Sequence, residues 1–162
     1  MGKPKFKLTS FDKSLVELIQ QVNHQTVGGW GLICAKRVLH FYTDTFPNDR
    51  RPQDALAALQ KWIDTGEFSM QVIRKAALDA HAAAREVGED NPARSAARSA
   101  GQAVSTAHVR EHAIAASSYA LQAIHRAASD SEAEQMVAKE GEWQKQRLLI
   151  LIDQNQKVGG HS

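Results

Sequence analysis

The 162-residue chain contains one cysteine, four prolines and ten glycines, and only 6% of its residues are aromatic. A single cysteine excludes a disulfide framework. Cys34 lies in an apolar helical pattern without a motif that would activate a thiol, so it is expected as a small buried hydrophobe in a reducing compartment. No apolar run approaches the roughly 18 residues of a membrane span, and the basic start MGKPKFKLTS is not followed by the apolar stretch of a secretory signal. A cytoplasmic protein with no membrane partner is expected. Charge of one sign is lacking as well: 20 Lys and Arg stand against 18 Asp and Glu, a net of +2. A nucleic-acid surface needs a concentrated basic patch to displace counterions. The one local excess, Lys3, Lys5, Lys7 and Lys13, reads as a solvated tail, and no nucleic-acid partner is expected.

Sustained alternation with β-branched residues is also missing, which leaves little room for strands. Alanine is what the chain has in quantity, with 19 of the 53 residues from Ala76 to Ala128. These alanines recur at helical spacing and give each helix a smooth face that a neighbour can approach closely. The fold expected is all-α: a bundle of about seven mostly antiparallel helices with Ala-rich close packing. A single helical domain is expected over residues 11–156, with a basic tail at 1–10 and a frayed end at 157–162.

Local signals place the helices. Phe11, Leu15, Leu18, Ile19 and Val22 make a short first stripe, with Asp12 and Ser14 at its start. Trp30, Cys34, Val38, Phe41 and Tyr42 make a second, after a glycine cluster (Gly28, Gly29, Gly31) read as a turn or as the start of a helix against a close neighbour. Asn48 to Pro52 combines capping residues with a proline suited to a first helical turn, and the third helix runs to Gly66. Ser69 caps the fourth, whose inner face reads Val72, Ile73, Ala76, Ala80, Ala83, Ala84 and Val87, and Gly88 ends it. Asn91-Pro92 starts the fifth. One helix from Pro92 to Ala128 would be roughly 55 Å long, so a break is placed between Ser105 and Arg110, with Ser105 and Thr106 able to cap the next start. The sixth helix carries Ala113, Ala116, Tyr119, Ala120, Ala123 and Ile124. Ser131-x-x-Glu134 is a capping box for the seventh, with Met136, Val137, Trp143, Leu148, Leu151 and Ile152 as its stripe and Gly141 inside it as a point of close packing.

Chemistry is sparse. His108 and His112 have the i, i+4 spacing of a helical metal pair, and His81 could join them from the preceding hairpin. The string HVREH lacks the glutamate that follows the first histidine in a zinc-protease helix, and the break near Val109 spoils the register. The preferred reading is structural, with ring N–H groups bonded to carbonyls between helices, and a metal site through His81, His108 and His112 is the alternative. Gly28-Gly29-Trp30-Gly31 has neither the lysine nor the strand of a phosphate loop. Ser117 and Ser118 have no adjacent base, so their hydroxyls are expected to bond back to the helix. Asp49 and Arg51 read either as a cap and a solvated base or as a polar pair at a binding edge. Trp30, Trp62 and Trp143 are expected in the core or at a subunit contact. No cofactor and no enzymatic activity are expected.

Several ordered segments together carry a resemblance: W-x-x-x-C-A-x-x-V-L (Trp30 to Leu39), D-x-R-P (Asp49 to Pro52), W-x-x-x-G (Trp62 to Gly66), A-A-x-x-A-H-x-A-A-R-E (Ala76 to Glu86), A-A-R-S-A-G-Q-A-x-x-T-A-H-V-x-x-H-A (Ala96 to Ala113) and A-A-x-x-Y-A (Ala115 to Ala120). Over about residues 28–125 the chain resembles a bacterial family of putative immunity proteins, similar to the fifth class of immunity proteins in polymorphic-toxin systems. The resemblance implies a small intracellular helical protein that binds and neutralises a protein toxin. It marks His81, Arg98, His108, His112, Asp49 and Arg51 as candidate partner-binding positions. A homo-oligomer, or a helical structural or ligand-binding module without a toxin partner, remains compatible with the residues. Inhibitors of basic toxins are commonly acidic, because complementary charge steers association. This chain is not acidic, which argues against a strongly basic nuclease as the target.

Overall fold

The computed structural model describes residues 2–8 and 13–159, and Phe11, Asp12 and the last three residues of the expected frayed end lie outside that range. Eight helices and no strands are found among the described residues: α1 (Lys13–Ile19), α2 (His24–Lys36), α3 (His40–Thr43), α4 (Arg51–Thr65), α5 (Met70–Glu86), α6 (Pro92–Ser105), α7 (His112–Ala127) and α8 (Ala133–Gly159). The expected second helix is divided into α2 and α3. Helices α4, α5 and α6 fall where their punctuation places them, whereas the last helix begins at Ala133 after a turn closed on the Ser129 carbonyl and not at the expected Ser131 capping box. Asn23, Ser69 and Asn91 cap α2, α5 and α6 by accepting from Thr26, Val72 and Arg94 N–H, and Gly66 and Gly88 take the positive φ that ends α4 and follows α5.

Cross-contacts give the directions. His81 meets Gly101 while Arg94 Nε donates to the Ala84 carbonyl, so α5 and α6 run antiparallel. Ser95 pairs with Gln122, Ser99 with the Ala116 carbonyl and Gln102 with His112, so α6 and α7 do the same. Helix α8 returns along α7, where Gln144 donates to the Ser117 carbonyl, and along α2, where Trp30 Nε1–H donates to the Gln144 carbonyl at 2.8 Å. Helix α2 thereby packs on α4, α6, α7 and α8.

The alanine faces are the seam between α5, α6 and α7. Ala80, Ala84, Ala97, Ala100, Ala116 and Ala120 are all at most 1% exposed. Side chains this small bring backbones near enough for serines to bridge them. Ser99 Oγ donates to the Ala116 carbonyl at 2.8 Å, and Ser95 Oγ donates to Gln122 Oε1 while accepting from Arg126. Ser117 bonds back to the Ile114 carbonyl, as expected. Cys34 is buried, and burial pushes its thiol pKa well above the ordinary range.

Several expectations are corrected by packing. The glycine cluster neither opens a turn nor starts a helix; it lies inside α2. A Cβ on Gly28 would stand 2.8 Å from Trp62 Cζ3, and one on Gly31 would stand 3.3 Å from Ala113 Cβ, so these positions let α4 and α7 close on α2. Val72, a turn of about 100° from the buried Ile73, faces solvent on α5, and Met136 is exposed on α8. Trp30 and Trp62 are core residues, whereas Trp143 is half-buried beneath the Arg37 guanidinium, 3.7 Å from its ring centroid. Helix α7 starts after Glu111 without a side-chain cap, and Ser105 Oγ instead donates to the Gly101 carbonyl. Of the lysine-rich start, Lys3 donates to the His125 carbonyl at the end of α7, and His125 Nε2–H donates to the Pro4 carbonyl.

Gly141 is corrected too. A Cβ there would lie 3.8 Å from Leu121 Cδ1, an ordinary contact, so no close approach requires glycine. Gly141→Ala is expected to stabilise the protein by about 0.5–1 kcal/mol, read as a raised urea midpoint with unchanged slope.

Candidate functional site

The α6–α7 turn positions two of the three candidate histidines. Two distant contacts hold it: His24 Nε2–H donates to the Thr106 carbonyl at 2.5 Å, and Arg110 Nη1 donates to the Ile19 and Val22 carbonyls at the end of α1. The arginine satisfies carbonyls that a helix end leaves open, and it anchors the turn as it does so. His108 stands exposed on this turn with its ring stacked on Phe68, centroids 6.3 Å apart. His112 opens α7. Its Nδ1 lies 2.8 Å from Gln102 Oε1, and because that oxygen can only accept, Nδ1 carries the proton. Burial, then the neighbouring His108, lower the His112 pKa, and Glu111 partly opposes them.

His81 reaches the same place from α5. Its ring lies on the bare backbone of Gly101, where a Cβ would come within 2.7 Å of Cε1. Its Nδ1 is buried without a hydrogen-bond partner. Burial pushes its pKa down to about 4, and Arg98, Arg85 and His112 add to the effect in that order. His81 is neutral at pH 7. An unfolded histidine takes up its proton near pH 6.5, whereas the folded one does so only near pH 4. Between those values the unfolded chain holds more protons, so this contribution to stability is complete above about pH 6.5 and is lost as pH falls towards 4. The stability difference between wild type and His81→Gln, followed by urea unfolding from pH 7 to pH 4, is expected to shrink over that window.

His81, His108 and His112 line one groove of about 340 Å³ between α5 and the turn, together with Met70, Ile73, Arg74, Ala77, Leu78 and Ser105. The expected break in register is present, with α6 ending at Ser105 and His108 outside any helix. Among the described residues, no group of three or more His, Cys, Asp or Glu is arranged to hold a metal ion. The groove is edged by apolar side chains open to solvent, including Phe68, Met70 and Leu78. Sequence reasoning passed over these residues, although Met70, Leu78 and His81 fall on one side of an α5 helix, offset from the Ile73–Ala80–Ala84 line. Gln102 was missed as well; only the fold shows that it fixes the His112 tautomer.

Asp49 and Arg51 lie elsewhere, at the start of α4. Asp49 Oδ1 accepts from the Arg51 backbone N–H at 3.1 Å, and Oδ2 accepts from Arg51 Nη2 at 2.7 Å and from Tyr42 O–H at 2.5 Å. Arg51 Nη2 also donates to Glu86 at the end of α5. The guanidinium holds the Asp49 carboxyl well below the usual carboxylate range, and burial followed by the Asp49 bond pushes the Tyr42 phenol up. The D-x-R-P turn is thus a brace joining α3, α4 and α5.

A family model described as Imm-5 like putative immunity protein matches residues 17–150, which include both the groove and the brace. No curated protein and no solved structure matches the chain.

Proposed function

The chain belongs to the Imm-5 like putative immunity protein family, and from that membership we propose that it binds a protein toxin in the cytoplasm and neutralises it by occupancy, without turning over a substrate. The observation that carries the reading is the histidine groove with its exposed apolar edge at Phe68, Met70 and Leu78. Apolar side chains gathered at a surface and framed by polar groups are the usual mark of a protein interface. Helices α5 and α7 offer faces long enough for the roughly 800 Å² per partner of a standard complex. In this reading His81, Arg98, His108 and His112 belong to the contact region, while Asp49 and Arg51 hold the fold that presents it.

Co-expression with toxin-like genes adjacent to the coding sequence tests the proposal. Rescue of growth together with a co-purifying complex is expected. If no neighbouring product is neutralised or bound, and the purified protein shows metal-dependent turnover of a small molecule, the reading is wrong and a histidine-based enzyme replaces it.

A further inference from the structure

The charge of the groove is unbalanced. Among the described residues Arg37, Arg50, Arg51, Arg94 and Arg126 have carboxylate partners, and Arg110 is spent on backbone carbonyls. Arg74, which lines the groove, differs: it has no carboxylate partner among the described residues, and Arg98 and Arg85, which lie outside the lining and are likewise unpaired among the described residues, add positive charge that acts on His81. No carboxylate is found among the described lining residues; Glu111 acts on His112 from outside them, and Glu67 and Asp79 adjoin Phe68 and Leu78 in the chain. Around this positive centre Phe68, Met70 and Leu78 are 41–58% exposed. Side chains of that size left in water, next to the unpaired guanidinium of Arg74, present a surface that is complementary to one kind of partner.

We propose that the groove receives an acidic, apolar-anchored segment of the toxin, with an apolar side chain seated against Met70 and Leu78 and a carboxylate facing Arg74. The proposal rests on the toxin-binding reading above and adds the chemistry of the element that is bound. Burial of the apolar anchor supplies affinity, and the planar guanidinium fork of Arg74 supplies orientation by pairing with the carboxylate. The opposite charges steer encounter, so association depends on salt. The rigid turn held by His24 and Arg110 keeps His108 and His112 in place before binding.

The test uses the full chain and two labelled helical peptides with the same leucine face, one flanked by glutamates and the other by lysines, followed by fluorescence anisotropy. The glutamate peptide is expected to bind at least about tenfold more tightly than the lysine peptide, and to weaken by about tenfold or more between low and high salt. Leu78→Asp and Arg74→Glu alter exposed positions and should each weaken it by a similar factor while the circular dichroism spectrum stays unchanged. Equal binding of both peptides, binding of neither, or binding that both substitutions leave intact would overturn the proposal. The same two variants are then carried into the toxin rescue assay. Loss of protection supports the groove. Full protection by both variants removes the groove and leaves toxin neutralisation standing, whereas failure of the intact chain to rescue removes the neutralisation reading itself.

Discussion

Trp30→Ala is expected to destabilise the protein by about 3–5 kcal/mol, the usual cost of emptying a large buried aromatic site. Trp30 is 0% exposed and packs with Ile19, Val27, Cys34, Ala113, Ile114 and Leu148, where α1, α2, α7 and α8 meet. Removing the indole also takes away the donor to the Gln144 carbonyl, which is left buried with less to bond. Trp30→Phe separates the two effects: it keeps most of the volume and loses the N–H, so it should cost distinctly less than the alanine variant. Urea unfolding followed by circular dichroism measures both. A midpoint for Trp30→Ala within experimental error of wild type would mean that α2 is not held against α8 as described.

Ala116→Leu should cost about 1–3 kcal/mol for the opposite reason, because the site has no room. Ala116 is fully buried in the cluster that contains Ala100, Ala103 and Val104, and its own carbonyl accepts from Ser99. A leucine would have to push α6 from α7, lengthening that hydrogen bond, or force its neighbours off their rotamers. Ala115→Leu, one residue away on a half-buried face, is the control and should cost less. Equal midpoints for the two variants would deny that the alanine seam is tight.

The sequence made local decisions readable and distant ones obscure. Ser69, Asn91 and Gly66 act through hydrogen bonds and φ values within a few residues, so the starts of α5 and α6 and the end of α4 follow from neighbours in the chain. The break after Ser105 follows from helix length. The glycines at 28 and 31 were misplaced because what requires them is Trp62 and Ala113, contributed by other helices. Gly141 was misread in the other direction, since only the position of Leu121 shows that a methyl group fits. At the candidate site the histidines were visible as a set through spacing and resemblance. Their convergence on one groove, the dependence of His81 on Gly101 and the apolar edge at Phe68 and Leu78 needed the α5–α6 hairpin to be closed. The D-x-R-P turn was legible as a helix start, but Glu86 and Tyr42, which complete its network, come from outside it.

The bond from Trp30 to Gln144 spans 114 residues, and this separation has a consequence for synthesis on the ribosome. Helices α4 to α7 join as successive hairpins, so each can close on its predecessor soon after it emerges. Helix α2 emerges early, yet the surface that covers one side of it belongs to α8 and comes last. Long-range pairings of this kind wait for the whole intervening chain. A nascent chain that has emerged only as far as the residues before Ala133 therefore leaves one side of the Trp30 indole uncovered and available to a chaperone, while the alanine seam behind it has already formed. Crosslinking of arrested chains of increasing length, each carried on an added C-terminal linker, should show chaperone contacts at α2 that persist until α8 is clear of the exit tunnel and then vanish in a single step.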